Sequence, residues 1–403
     1  MAQRHLEWHK PFYIVFDFML NLSPFSALRP KPQQAKFWTN RQIDTYNTLE
    51  NDRLDFVSLI RPDENKHKNI RKRLTKFLHQ QLLVKDPTPS LYCYRIVEKE
   101  TVLEGIIGLL DTHHVLDGAV VPHEDVVSDR VRIFKSYLDQ VMINTEPVLM
   151  GHSDSEALAE LKTRFFRSEP FVKFDREGIS HSLWRIDHPT LIHQVNRAIK
   201  DLKSLLIIDG HHRCFSSVQL AAEQKKYNKM LVCLVPEHQL KIGAFCRLFK
   251  DLNNLRPDHF LAQLSSKFDV TRVSYYSKPH GSRFLNLYLE KSWYKLRLSN
   301  ADMSKISNQL PTQVIFSKIA QPLLGIDDLR NEARIEYQYH QNTQKGIEAA
   351  VDSKKFTCGI EHFPISLDTV KSYLSDSGLL PPKSTYVLPK LLNGLLIYDF
   401  KDV

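Results

Sequence analysis

Nowhere in the 403 residues does an apolar run approach the length of a membrane-spanning helix. Residues Phe12 to Leu22 are apolar, but Asp17 interrupts them and no small-residue cleavage site follows. They are expected to form a core strand or a docking arm rather than a signal peptide, which points to the cytoplasm. The five cysteines (Cys93, Cys214, Cys233, Cys246, Cys358) are odd in number and without CxxC spacing. Free thiols in a reducing compartment follow, not a disulfide framework. Cys214 lies inside the apolar run of an expected helix, so nucleophilic cysteine chemistry has no support. There is no GxGxxG, P-loop, kinase signature or serine nucleophile elbow. The histidines at 113, 114, 123, 211 and 212 fall in no HExxH or His-plus-Cys spacing, so a transition-metal hydrolase is not expected. No internal repeat or low-complexity segment is visible.

What is present is a globular composition, 42% hydrophobic and 25% charged, long enough for two domains. The net charge of +9 favours anionic ligands without choosing among nucleotide, nucleic acid and phospholipid.

Periodicity predicts strands at Leu91–Glu98 and Val102–Leu110, joined at Lys99-Glu100, and a helix from about Val126 to Val141 that Asp125 could cap. Next come a strand at Pro147–Met150 and a helix near Ser155–Phe166, capped by Ser153 or Asp154. A hairpin follows over Phe171–Phe174 and Ser182–Asp187, then a helix at Thr190–Leu202 and a strand at Met230–Val235. This alternation from about 91 to 250 predicts a mixed α/β core. Beyond Phe249 the pattern is α+β, with one helix spanning Pro311–Leu324 and a closing strand at Leu395–Phe400. The expected division is a nucleotide-binding domain at 1–250 with an N-terminal arm, and an α+β domain at 251–403 that closes the site. Between Asn65 and Leu82, Ile70, Leu74, Phe77, Leu78 and Leu82 recur at helical spacing opposite Lys66, Lys68, Arg71, Lys72, Arg73 and Lys76. Such a basic face is either solvated or touches nucleic acid.

The densest chemistry lies at Leu205-Leu206-Ile207-Ile208-Asp209-Gly210-His211-His212-Arg213. Four apolar residues read as a buried strand, Gly210 permits a sharp turn, and a helix starts at His211. Such a junction presents backbone N–H groups to an anion. Arg213 would bind phosphate bidentately, His211 and His212 would add donors, and Asp209 would hold Mg²⁺ or accept a hydroxyl proton. A capped helix start with polar surface histidines is the plainer possibility. His123-Glu124-Asp125 offers a base, a metal ligand, a ribose clamp or only a capping cluster. Lys383, Ser384, Thr385 and Lys390 sit on a Pro-bounded stretch that could close on phosphate or form a rigid surface turn.

With these residues in view, the chain resembles domain-of-unknown-function family ten-fifteen, whose hallmark is a strand ending in Asp-Gly-His-His-Arg. The resemblance runs from Phe25-x-Ala27-Leu28-Arg29-Pro30 through Tyr92-x-Tyr94-Arg95 and His123-Glu124 with Asp129-Arg130. It ends at Leu380-Pro381-Pro382-Lys383-Ser384-Thr385, Pro389-Lys390-Leu391 and Gly394-Leu395. Where family members carry Pro-Pro-Tyr-Asp, this chain has Phe37-Trp38-Thr39-Asn40-Arg41-Gln42-Ile43-Asp44, a change that would redirect or abolish activity. The Asp-Gly-His-His-Arg turn is also similar to that of the ParB/sulfiredoxin superfamily, which includes partition CTPases, sulfiredoxins and a free-serine kinase. Sulfiredoxin chemistry needs a cysteine where His211 and His212 stand.

The resemblance implies a ParB/sulfiredoxin-like nucleotide-binding core and a phosphotransferase using ATP or ADP with Mg²⁺ on a small hydroxyl-bearing, serine-like metabolite. Asp209, Glu124 and His123 would be catalytic. Gly210, His211, His212, Arg213, Arg130, Lys383, Ser384, Thr385 and Lys390 would hold the nucleotide. Arg29 would contact substrate, and Asp209 and Glu124 would hold the metal. The alternatives are a ParB-like nucleic-acid-binding module and a catalytically inactive scaffold.

Overall fold

The computed structural model describes residues 19–39, 56–60, 67, 69–126, 128–299, 310–329, 332–339, 342–380 and 383–402. The expected strand at Phe12 to Leu22 lies mostly outside these residues, as do residues 40–44 of the altered segment, Lys66 and Lys68. The described residues form two compact units, one from those within 19–122, 126–240 and 389–402, the other from those within 123–125 and 241–380 and from 383–388. Along the described residues the chain passes between units at 122/123, 125/126, 240/241 and 388/389, where the sequence pattern suggests a single boundary at 250/251.

The first unit is built on eight strands: β1 Leu91–Glu98, β2 Thr101–Asp111, β3 Val120–Val121, β4 Val148–His152, β5 Val172–Arg176, β6 Ile179–Ile186, β7 Leu205–Asp209 and β8 Lys229–Pro236. Their order across the sheet is β3-β7-β4-β8-β2-β1-β6-β5. β7 runs parallel to β3 and antiparallel to β4, and β8 runs parallel to β4, so the sheet is mixed. Leu205, Leu206, Ile207 and Ile208 are all buried, which is why β7 reads as an unbroken apolar run rather than an alternating one. The helices Ser128–Val141 and His211–Glu223 are joined side to side by a Lys135–Glu223 ion pair and a 2.6 Å Gln224–Asp139 hydrogen bond. The helix expected near Ser155–Phe166 takes Ser155 as its own cap, the hydroxyl accepting from the Leu158 N–H, rather than Ser153 or Asp154.

The basic helix spans Ile70–His79. Part of its charged side is engaged within the unit, while Lys72 and Lys76 are exposed. Arg71 grips Asp399 bidentately at 2.9 and 2.7 Å, and Arg73 donates from Nε to the Leu59 carbonyl at 2.9 Å.

The closing strand shrinks to Tyr398–Asp399, paired with Ile143–Asn144, and a 3-10 turn at Phe400–Asp402 follows. Just before it, Gly394 adopts φ +75°, with its carbonyl accepting from Trp38 Nε1 at 2.9 Å. A Cβ there would sit 2.6 Å from Phe56 Cγ. Gly394→Ala is therefore expected to destabilise this unit by roughly 2–4 kcal/mol, from left-handed strain plus overpacking. A urea midpoint unchanged from the parent protein would contradict this.

The second unit is an antiparallel sheet with helices on both faces. Its strands are β9 Cys246–Phe249, β10 Asp269–Val273, β11 Phe284–Leu289, β12 Ser292–Arg297, β13 Ile335–Gln338 and β14 Cys358–His362, in the order β10-β12-β11-β14-β9-β13. Leu285, Leu287 and Ile360 pack on one face with Phe260, Leu264 and Ile319, while Leu248, Tyr288 and Trp293 pack on the other with Ile347 and Val351. The helix expected over Pro311–Leu324 is broken by a π-turn at Phe316–Ala320. Pro322 lacks an N–H and crowds the carbonyl four residues back, and a widened turn accommodates it. Among the described residues, no helix is long and apolar enough to cross a membrane.

Candidate functional site

β7 ends at Asp209, and Gly210 follows in the left-handed region at φ +96° as the N-cap of the His211–Glu223 helix. A Cβ at Gly210 would stand 2.9 Å from Arg213 Cζ, so the glycine is required both for its backbone and for the guanidinium lying over it. Asp209 is flanked by two cations: Lys390 Nζ lies 2.9 Å from Oδ1 and Arg213 Nη2 lies 3.1 Å from Oδ2. Burial alone would raise this carboxyl, but Lys390 and then Arg213 outweigh it and hold the pKa down at about 2. Asp209 is thus a fixed negative charge.

Arg213 is more heavily engaged than a bidentate phosphate ligand would be. Nη1 donates to the Glu146 and Pro147 carbonyls at 3.2 and 2.6 Å. Nη2 reaches the Glu146 carboxylate at 2.9 Å as well as Asp209. Phosphate would have to displace these acceptors, so in this structure Arg213 is a tie between strands. Glu146 is pushed above the usual carboxylate range by burial, against the pull of Arg213. Asn393, its amide nitrogen turned toward Glu146, lies 2.9 and 3.2 Å from the two carboxylate oxygens.

Glu146 and Asn393 are absent from the residues picked out by sequence. Glu146 precedes β4, and only the antiparallel pairing that sets Leu149 opposite Asp209 carries it to this end of β7. No local pattern encodes that pairing. His211 is buried and His212 half-buried, rather than polar surface. Arg130 is exposed on the Ser128–Val141 helix.

His123 and Glu124 belong to the second unit. Glu124 forms a parallel bridge with Leu380, supported by Leu380 N–H to the His123 carbonyl at 2.9 Å and Asp125 N–H to the Leu380 carbonyl at 3.1 Å. The side chains fasten the Lys-Ser-Thr loop. His123 Nε2 lies 2.9 Å from Thr385 Oγ1, and Glu124 Oε1 accepts the Lys383 N–H at 2.9 Å. Lys383 itself sits at φ +61° with its ammonium 5.5 Å from the Phe245 ring centroid. Ser384 is 1% exposed and hydrogen-bonded to Thr312, so its hydroxyl is turned inward rather than to solvent. The fully buried Arg247 backs the loop, 3.5 Å from the Lys383 carbonyl. The helix that Asp125 could cap by sequence begins at Ser128.

Arg29 hydrogen-bonds from Nε to Asp86 at 2.9 Å and stacks 4.9 Å from the Phe171 ring centroid. With Phe171, Trp184 and Arg185 it lines a cavity of about 380 Å³, a size suited to a small ligand.

The chain matches the family described as Protein of unknown function (DUF1015) over residues 22–318, most of its length. It belongs to that family. No curated protein matches the chain. Among solved structures, this DUF1015 member is similar to a conserved hypothetical protein from Pyrococcus furiosus, at 13% identity and TM-score 0.38, over 76% of this chain and 99% of that one. It is also similar to SbnI with C-terminal truncation from Staphylococcus aureus, at 12% identity and TM-score 0.40, over 72% of this chain and 86% of that one. A third likeness is to a free serine kinase in complex with AMP, at 13% identity and TM-score 0.37, over 73% and 90% of the two chains. Scores this low transfer no function to this chain.

Proposed function

We propose that this DUF1015 protein is a nucleotide-dependent phosphotransferase acting on a small hydroxyl-bearing metabolite. A serine-like acceptor and a ParB/sulfiredoxin-type core are what the sequence resemblance implies. One observation carries the reading: a strand-to-helix turn through a left-handed glycine, where two cations and a fixed carboxylate meet at the carboxyl end of a sheet strand. Phosphoryl transfer asks of a protein mainly positioning and neutralisation of spread negative charge. The helix start and Lys390 would serve the phosphates, and Arg213 would hold the turn rigid. The cavity beside Arg29 would take the acceptor.

Asp209 can hold a magnesium ion as a carboxylate ligand. No group of three donors gathers around it among the described residues, so phosphates and water would complete the shell, as is usual for nucleotide-bound Mg²⁺. The ion would neutralise charge on the transferred group. With its pKa near 2, Asp209 is a poor base at neutral pH. Glu124, with His123 beside it, is the other carboxylate that the sequence resemblance implies for the hydroxyl proton. The nucleic-acid reading keeps only the exposed Lys72 and Lys76 of the described helix, since Arg71 and Arg73 are engaged within their own unit.

Thermal unfolding with Mg²⁺ and a panel of nucleotides tests this directly, since a ligand that binds only the folded state raises the transition by mass action. One purine nucleotide is expected to raise it, and ³¹P NMR to show transfer to a hydroxyl metabolite. No shift with any nucleotide, and no transfer, would end the proposal.

A further inference from the structure

β2 delivers the chain into a tight turn, Asp111-Thr112-His113-His114-Val115-Leu116-Asp117, that none of the roles above uses. Asp111 is fixed first. Its Oδ2 accepts from Asn228 Nδ2 at 2.8 Å, and the Asn228 carbonyl accepts the neighbouring Thr112 N–H at 2.7 Å. Its Oδ1 takes the His113 backbone N–H at 3.1 Å and lies 2.7 Å from His113 Nδ1. A carboxylate on Nδ1 keeps the proton there and leaves the Nε2 lone pair outward, where Asp117 Oδ2 stands 3.9 Å away. His114 is 4% exposed, and neither of its ring nitrogens has a hydrogen-bond partner. A buried imidazole left unpartnered at both nitrogens is uncommon. One donor atom from each of His113, His114 and Asp117 lies within 4.8 Å of the others.

We propose that His113 Nε2, a ring nitrogen of His114 and the Asp117 carboxylate bind a divalent transition-metal ion of the Zn²⁺ class. Two imidazoles and a carboxylate suit Zn²⁺ and its neighbours, whereas Mg²⁺ prefers an all-oxygen shell. The Asn228–Asp111–His113 relay is the outer support that metal-bound histidines generally have. Three protein donors leave a further position for water or a ligand. An ion pair between His113 and the two aspartates accounts for His113 alone and leaves His114 unexplained.

The full chain, stripped with chelator, is titrated with Zn²⁺ by calorimetry and with Co²⁺ by visible absorption. One equivalent is expected, with d–d bands for bound Co²⁺ and no competition from millimolar Mg²⁺. His113→Ala and Asp117→Asn change exposed side chains, so folding is retained, as far-UV circular dichroism would verify. Each should weaken Zn²⁺ binding at least about 10-fold, and Asp111→Asn should weaken it by about 10–100-fold through the outer support. Absence of stoichiometric Zn²⁺ binding, or binding that survives His113→Ala and Asp117→Asn unchanged, would overturn the site. Such surviving binding would belong to other histidines of the chain.

Discussion

Arg213→Ala is expected to destabilise the first unit by about 2–4 kcal/mol, read as a lower urea midpoint. The guanidinium bridges two carboxylates and two carbonyls, and its removal leaves Asp209 and Glu146 facing each other without it. Removing one partner of a buried ion pair costs about 3–5 kcal/mol, and partial exposure (20% for Arg213, 23% for Glu146) lowers that figure. Arg213→Lys should recover only a fraction, because an ammonium cannot present a planar fork to four acceptors. The pH dependence has a definite sign. Asp209 titrates near 2 in the folded protein against an ordinary 3.8, so its contribution is fully present above about pH 4 and fades as pH falls toward 2. The gap between parent and variant should therefore be widest near neutral pH and narrow on acidification. A gap that stays constant between pH 7 and 3 would mean that packing, rather than charge, accounts for Arg213.

Lys390→Met is expected to leave the fold intact and to weaken nucleotide binding about 10–100-fold, the effect of losing one charge-assisted hydrogen bond. Methionine preserves the aliphatic stem, and the lysine is partly exposed, so little packing is lost. The same change removes the larger of the two charges holding Asp209 down, and its carboxyl should titrate closer to the ordinary range. Two readouts separate the effects: carboxylate ¹³C shifts follow Asp209, and the nucleotide-dependent thermal shift follows binding. A variant that keeps the full thermal shift would remove Lys390 from the phosphate site.

The local code was legible where geometry is local. Leu91–Glu98 has the bounds expected of it, and the turn at Lys99, the buried run Leu205–Ile208 and the left-handed Gly210 all follow from residue types alone. What periodicity does not encode is which strands become neighbours. β7 lies between β3, 84 or more positions earlier in sequence, and β4, and that placement alone brings Glu146 to Arg213. It also gives Arg213 a tie between strands that its motif does not announce. His113, His114 and Asp117 were in plain view but fit no familiar metal spacing, and it takes Asp111 and Asn228 to show that the ring of His113 is aimed. Ser384 reads as a surface hydroxyl on its loop, yet its partner Thr312 lies in the helix that starts at Pro311, 72 positions earlier.

Lys390 stands 181 positions after Asp209 in the chain. At about 5–20 residues per second, a ribosome delivers it roughly 10–40 seconds later. For that interval the emerging β7–helix turn holds Asp209 and Arg213 but not Lys390, Asn393 or the Tyr398–Asp399 strand. Biosynthesis therefore imposes an order: the sheet can form during translation, whereas the anion-receptive turn is completed only when the last segment docks. Nascent chains stalled before residue 390 should accordingly carry a folded sheet without a finished site.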